Sequence, residues 1–296
     1  MKMVDCPTSA SAPVVKDSAR TVSKVRWPAK RSVFGIGISP TCYDQVVENV
    51  IEAAQIGQPA ILDFMAVHSL ICAASDKAHT RRLNEFDVVA PDGQPVRWAL
   101  NYFHRLNLTD RVYGPELTQR ICAAAEKQGV GIYLYGGHPD VLQKLCEKLR
   151  ELFPTLRIAG AESPPFRPLT DVEDQAVVDR INESGAGIVL IGLGAPKQEI
   201  FAHEHRHCIK AVQLCVGAAF DFHAGVKKMA PAWMQRRGLE WVFRLTQEPG
   251  RLWKRYLVTN SHFVLLFLRD AILRRRANAS NFTAEDAEER RGLGAC

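Results

Sequence analysis

Short apolar runs alternate along this chain with longer stretches in which apolar residues recur at helical spacing. The runs fall at 59–64 (PAILDF), 86–90 (FDVVA), 130–135 (VGIYLY), 156–159, 186–191 (AGIVLI) and 211–216 (AVQLCV). The periodic stretches lie at about 41–56, 94–104, 115–128, 139–152, 171–183 and 196–207. Runs of strand length separated by segments of helix length predict β-α alternation, hence an α/β domain with a mostly parallel sheet and helices on both faces. Such sheets bind ligands beyond the carboxyl ends of their strands. After about residue 226 the pattern changes. The segment AGVKKMAPAWMQRRGLEWVFRLTQEPGRLWKRYL has no strand-like run and predicts two or three helices punctuated by Pro231, Gly238 and Pro249. The domains expected are therefore an α/β body over 32–226 and a helical appendage over 227–276. Residues 1–31, rich in Ser, Pro, Ala and Lys without periodicity, and the polar segment 277–296 predict disordered tails.

Composition adds little until charge is resolved along the chain. The 296 residues are 47% apolar and 24% charged, which excludes a disordered, collagen-like or disulfide-scaffold protein. The net charge of +6 is unevenly spread: 32–226 holds 17 basic and 23 acidic side chains, whereas 227–276 holds 12 basic and 3 acidic ones. An acidic body with a basic C-terminal segment points to anionic partners held at one end. Ten basic residues there (Arg236, Arg237, Arg244, Arg251, Lys254, Arg255, Arg269, Arg274, Arg275 and Arg276) interleave with Trp233, Trp241, Phe243, Trp253, Tyr256, Phe263 and Phe267. That composition suits a helix on an anionic membrane surface, with Arg274–Arg276 left for the bilayer. The alternative is aromatics packed on the body and solvated arginines; the acidic body speaks against nucleic acid. The eight cysteines are scattered without CxxC spacing and read as small buried hydrophobes in a reducing compartment. The N-terminus has no apolar run suited to a signal peptide, and the longest run, Phe263–Leu268, is far short of the ~20 residues that span a bilayer. The expectation is a cytoplasmic protein, soluble or peripherally attached to the inner membrane face.

Candidate chemistry clusters at the predicted strand ends. Gly136-Gly137-His138-Pro139 follows one strand, and Gly192-Leu193-Gly194-Ala195-Pro196-Lys197-Gln198-Glu199 follows another. Both are Gly-rich turns opening a helix, where backbone N–H groups can approach phosphate, although every βα unit needs a tight turn. Neither is a complete GxGxxG, and no GxxxxGK followed by Ser or Thr occurs, which disfavours dinucleotide binding and a phosphate-loop ATPase. At a third strand end, Asp92 in Ala90-Pro91-Asp92-Gly93 is either a turn residue or a carboxylate placed to take a proton from a hydroxyl. Arg111, ahead of a helix start, can grip phosphate or pair with a carboxylate. His203-Glu204-His205-Arg206-His207 matches the zinc motif HExxH, with His223 as a conceivable third ligand. The charged Arg206 inside it and its place on an outer helix favour a solvated face over a metallopeptidase. Asp171-Val172-Glu173-Asp174 is the nearest approach to a metal-holding DxD and reads as helix N-terminal charge.

PDGQPVRWAL, RVYGPEL, YLYGGHPDV, GLGAPKQE, VGAAFDFHAG, AP-x-W-M-Q and GLEWVFRLTQEPGRLWKRY occur in this order between about residues 35 and 260. Together they resemble the WecG/TagA/CpsF glycosyltransferases of bacterial cell-surface polysaccharide and exopolysaccharide synthesis. The resemblance implies a Rossmann-like α/β domain with a C-terminal helical appendage, and inverting, metal-independent transfer from a UDP-sugar to a polyprenyl-diphosphate-linked sugar acceptor, with no cofactor. It implies that Asp92 is the general base, that Arg111 contacts diphosphate, and that Gln198, Glu199 and Asp221 belong to the nucleotide-sugar pocket beside Gly136 and Gly137. Arg244, Arg251 and Arg255 match appendage arginines that would hold diphosphate. The chain departs from the pattern at Phe64-Met65-Ala66-Val67-His68, where many members have Thr-x-Asn. Donor identity is therefore open, with His68 or Ser69 as substitutes. A non-catalytic nucleotide- or lipid-binding regulator is the alternative of another class, and assembly as a homo-oligomer is left undecided.

Overall fold

The computed structural model of the chain describes the backbone of residues 24–292 and the side chains of residues 24–275. All six predicted strands form: β3 (Ala60–Met65), β4 (Val88–Pro91), β5 (Ile132–Gly136), β6 (Ile158–Glu162), β7 (Ile188–Gly192) and β8 (Val212–Cys215). They make one sheet in the order β4-β3-β8-β7-β5-β6, parallel at every pairing. The chain is thus an α/β protein of Rossmann-like kind. Helices cover both faces, so strand residues of either parity are buried and the strands read as continuous apolar runs. On one face α1 (Tyr43–Gln55), α5 (Gly114–Gln128), α6 (Pro139–Leu152) and the short α9 (Ala219–His223) pack on Leu62, Leu134, Leu190 and Leu214. On the other, α2 (Val67–Ser75), α3 (Lys77–Asn84), α4 (Gln94–His104), α7 (Asp171–Glu183) and α8 (Lys197–Glu204) pack on Ile61, Met65, Val89 and Ile191. The acidic start of α7 is a capping box: Thr170 accepts from the Glu173 N–H, and Glu173 accepts from that of Thr170.

Several elements were not expected. An antiparallel hairpin, β1 (Arg31–Val33) and β2 (Ile36–Ile38), turns at Phe34 and Gly35, both with positive φ. Ser39, just beyond it, donates its N–H to the Val89 carbonyl and so ties this segment to the edge strand β4. Residues 24–30, expected in a disordered tail, lie on the body. Val25 is buried and exchanges hydrogen bonds with the Gln58 side chain (2.8 and 3.2 Å), and Trp27 packs on the core. Residues 1–23 fall outside the described residues. Of the cysteines, Cys122, Cys146 and Cys215 are buried, whereas Cys42, Cys72 and Cys208 are exposed.

The appendage consists of α10 (Ala232–Arg236), α11 (Glu240–Gln247) and α12 (Pro249–Gly292), broken at Pro231, Gly238 and Pro249 as anticipated. The backbone of α12 runs on through 277–292, where a disordered tail was expected. α12 packs along α2, with Leu252, Thr259 and Ala271 buried and Phe263 and Phe267 against Phe34 and Phe103. Arg274 donates to the carbonyls of Phe103 and Ser32, and Arg275 to the Tyr102 hydroxyl. These two arginines, assigned from sequence to the bilayer, instead dock the helix. The opposite side of α12 exposes Leu257, Val264, Leu265, Leu268 and Ile272. An 18-residue window within Pro249–Arg275 reaches a mean hydropathy of 1.2, so by length and composition alone the helix is apolar enough to cross a membrane. The uninterrupted apolar run is shorter than the apolar surface of this helix.

Two glycines set the shape of the carboxyl edge. Gly136 and Gly192 end the neighbouring strands β5 and β7 in register. A Cβ at Gly136 (φ 121°) would lie 2.6 Å from the Gly192 carbonyl carbon, and one at Gly192 would meet the Phe220 ring at 2.5 Å. The strand ends and α9 approach this closely only because both side chains are absent. Gly136→Ala combines a backbone clash with an unfavourable φ and is expected to cost about 3 kcal/mol, seen as a lower denaturation midpoint at unchanged slope.

Candidate active site

The carboxyl edge of the sheet opens into a cavity of about 770 Å³. Phe64 and Ala66 at the end of β3, Asp92 after β4, Gly137 after β5, Gly192–Ala195 at the end of β7 and Val216–Phe222 after β8 line its body side. Arg244, Glu248, Arg251, Arg255 and Tyr256 of the appendage line the other side. The loops of a parallel sheet converge at this edge, and here the appendage supplies the crevice with a second wall.

Asp92 stands where β4 gives way to α4. Its N–H donates to the Met65 carbonyl (3.1 Å), and its Oδ2 accepts from the Gly114 N–H (2.9 Å). Burial pushes its carboxyl up to about 6. The positive charge of Arg111 is the largest influence in the other direction, while the negative Glu240 adds to the rise. A carboxylate with this affinity for protons accepts one far more readily than a solvated aspartate does, yet is still ionised at neutral pH.

Arg111 does not line the cavity. It is buried, its guanidinium stacks on Tyr113 (4.2 Å to the ring centre), and Nη2 donates to Glu240 Oε2 at 2.7 Å. The expected diphosphate contact is thus replaced by a buried ion pair, with Arg111 acting on Asp92 through space. Glu240 is the pivot of this layer. It also accepts from the Tyr113 hydroxyl (3.0 Å) and from Arg244 Nη2 (2.6 Å). The flanking charges depress its own pKa despite burial, which pushes the other way.

Seven of the expected residues do share the cavity: Asp92, Gly137, Gln198, Asp221, Arg244, Arg251 and Arg255. Asp221 pairs with Lys227 (2.8 Å), and Arg251 with Glu248. Arg255 forms no ion pair among the described residues, and the buried Nε atoms of both Arg244 and Arg255 lack an acceptor. His68 and Ser69 also line the cavity; burial and the nearby charge of Arg255 lower the His68 pKa. Gln198 Nε2 donates to the Cys215 carbonyl (3.3 Å) and to Glu199 Oε1 (3.4 Å), leaving Oε1 buried without a donor.

Glu199, expected beside the nucleotide-sugar, instead lies beneath the cavity floor. It is 1% exposed and interacts with Asp63 of β3, and burial raises the pKa of both. Neither Asp63 oxygen, nor Glu199 Oε2, meets a donor. Burial, and for Asp63 the neighbouring negative charge of Glu199, disfavour ionising both carboxyls and so favour keeping a proton on the pair. The HExxH match dissolves as well. α8 ends at Glu204, so His207 lies beyond the helix; His203 pairs with Glu85 (2.8 Å), and His223 bonds the Pro115 carbonyl (2.8 Å) on the far side of the sheet. No group of three or more His, Cys, Asp or Glu arranged to hold a metal ion occurs among the described residues. Sequence reasoning passed over Glu240, Tyr113 and Asp63. Only the i,i+4 spacing of Glu240 and Arg244 was visible there, and that spacing commonly marks a solvated pair.

The Asp63–Glu199 pair sets a pH dependence. Its raised pKa values mean that the folded chain keeps a proton that the unfolded chain releases above about pH 4, so this contribution to stability fades as pH rises. Asp63→Asn supplies a permanent hydrogen-bond donor in place of that proton. Its melting temperature relative to the parent chain is expected to climb between about pH 5 and pH 8; a difference independent of pH would contradict the shared proton.

The sequence model described as the glycosyl transferase WecG/TagA/CpsF family matches residues 31–277. That span takes in the hairpin, the whole parallel sheet, the cavity and the appendage up to the docking arginines of α12. With the match extending over most of the chain, this protein belongs to the WecG/TagA/CpsF family of glycosyl transferases, whose activity serves cell-surface polysaccharide synthesis.

Proposed function

We propose that the protein is an inverting glycosyltransferase that moves a sugar from a UDP-sugar to a polyprenyl-diphosphate-linked saccharide at the inner face of the plasma membrane. The observation that carries this reading is the pairing, in one cavity, of a carboxylate poised near neutrality with two arginines whose buried Nε–H groups have no acceptor. Buried donors without a protein acceptor call for a water, an ion or a ligand group, and guanidinium favours diphosphate oxygens.

In the proposed reaction Asp92 takes the proton of the acceptor hydroxyl through Oδ1, since Oδ2 is engaged by Gly114. The acceptor oxygen then bonds to the anomeric carbon on the face opposite the diphosphate, and the anomeric C–O bond breaks toward UDP. Negative charge grows on the departing diphosphate, where preorganised cations lower the barrier. Arg244 and Arg255 supply them, with Arg251 and Lys228 nearby. No divalent ion is assigned a role, so turnover is expected to persist in EDTA. Phe64-Met65-Ala66-Val67-His68 stands where many members carry Thr-x-Asn, with His68 and Ser69 at the cavity wall as substitutes, so that a hexose or hexuronic acid donor is open to the site.

Membrane attachment rests on α12. One side is occupied by the body, yet the other remains apolar over several turns. A helix apolar on all sides requires a second apolar surroundings, and Trp233, Trp241 and Trp253, each about half exposed, flank it with Lys254 and Arg269 in the manner of an interfacial helix.

Release of UDP from UDP-glucose, UDP-galactose, UDP-glucuronate and UDP-N-acetylglucosamine, each with bacterial membrane lipid extract, tests the reading. One donor should give lipid-dependent release. Asp92→Asn should fold normally and lose roughly 10²–10⁴-fold in turnover; near-parental turnover would remove Asp92 from the chemistry. Since the base must be ionised, kcat/KM should rise with pH through about 6 and then level. Leu265→Asp with Leu268→Asp, both at exposed positions, should abolish co-sedimentation with phosphatidylglycerol vesicles while leaving the melting temperature unchanged; undiminished co-sedimentation would refute the membrane face.

A further inference from the structure

Asp92 is set over a buried network of one carboxylate, Glu240, and two guanidinium groups, Arg111 and Arg244, and the carboxylate reaches it from the appendage. Glu240 of α11 is 129 residues away from Arg111 in sequence, yet meets it at 2.7 Å in a buried contact, with Tyr113 and Arg244 on its remaining lone pairs. Arg111 itself is anchored. Its N–H donates to Asp110 Oδ1 (2.8 Å), its guanidinium rests on Tyr113, and Arg97 pins the preceding loop through the carbonyls of Leu108 and Thr109. A buried arginine held in this way cannot move out to water. Without Glu240, the negative charge closest in kind and depth is Asp92, whose Oδ1 receives no donor among the described residues.

We infer that Glu240 is the positioning residue for Asp92: by engaging Arg111 it withholds that guanidinium from the base and keeps Oδ1 open for the acceptor hydroxyl. Because Glu240 belongs to the appendage, docking of the appendage and competence of the base are a single event. When α11 is seated, Arg111 pairs with Glu240 and Asp92 is free; when α11 is lifted, Arg111 turns to Asp92, which is then both occupied and less basic. The catalytic consequence rests on the reading of Asp92 given above, while the exchange of partners is a property of the protein alone.

Asp92 is faced by Arg111 and Tyr113 from the loop before α5, by Glu240 and Arg244 from α11, by Tyr43 from α1 and by Asp63 from β3. Glu240→Gln preserves shape and removes one negative charge from this set, leaving Asp92 among cations. The side-chain carboxyl of Asp92 can be followed by carbon NMR in the full-length protein labelled at aspartate, assigned by its disappearance in Asp92→Asn, without any substrate. Its titration midpoint should move down by about one pH unit in Glu240→Gln, the coupling expected between groups in one buried network, and should return toward the parental value in Glu240→Asp. A midpoint that stays put overturns the proposal. If Glu240→Gln does not fold, Arg111→Gln gives the mirror result: the midpoint should move up, and constancy there overturns the proposal equally. In turnover, the double variant Arg111→Gln with Glu240→Gln should recover about tenfold over Glu240→Gln alone, since the released guanidinium is the inhibitor. A merely structural Glu240 would make the double variant worse. Inactivity of every protein, the parent included, with an intact midpoint shift would fault the assigned reaction and leave the partner exchange standing.

Discussion

Charge removed from water has to be matched, and in this protein the match is made across the boundary between the body and the appendage. Arg111 is contributed by the loop that follows α4, and Glu240 by a short helix near the end of the fold. A buried carboxylate with two guanidinium partners is held strongly in place, because withdrawing any member leaves uncompensated charge in a medium that solvates it poorly. The position of α11 follows from that ion pair, and Arg244, one helical turn beyond Glu240, is thereby carried to the cavity wall. The start of α12 follows in turn, bringing Arg251 and Arg255 over the strand ends. A sheet whose two faces are covered by helices has only its edges left for chemistry, and the ion pair closes the chemically useful one.

Much of this architecture could be read from residues alone. The strands of a doubly covered parallel sheet are short unbroken apolar runs, and all six were found within about two residues of their predicted places. What escaped notice lacked such a signature. The hairpin strands are three residues each, too short for alternation to register. In residues 24–30 a single valine and a tryptophan do the packing amid polar and basic neighbours. α2 follows β3 so closely that its apolar residues merge with the strand's run, and the short α3 is largely polar. At the site, the turn glycines and Asp92 were recognisable because loops at strand ends are where ligand chemistry concentrates, whereas the cavity arginines, on helices of the appendage, were indicated by the family resemblance. Arg111 and Glu199 were recognisable as important but not in direction: whether a charged side chain faces ligand or protein depends on a partner far away in sequence, here Glu240 and Asp63.

α12 illustrates the same limit differently. Its arginines and aromatics suggested one amphipathic surface, but it presents two. Phe263, Phe267, Arg274 and Arg275 belong to the side facing the body, where Phe263 meets Phe34 edge-on, Phe267 lies tilted on Phe103, Arg274 caps backbone carbonyls and Arg275 bonds the Tyr102 hydroxyl. The leucines between them, offset by about half a turn, remain uncovered. Counting apolar residues in a row underestimates such a helix, because polar residues such as Thr259 and Asp270 interrupt the count without interrupting either surface.

The fixed amide of Gln198 carries a consequence for recognition. With Nε2 committed to the Cys215 carbonyl and to Glu199, the group cannot rotate to present its NH2 to the cavity without setting its oxygen against another oxygen. Its one open valence is a lone pair. An atom of a bound molecule that reached this buried oxygen would have to arrive carrying hydrogen, so a hydroxyl would be matched there and an ether or a carbonyl of the same size would not, through the wiring of the floor beneath it.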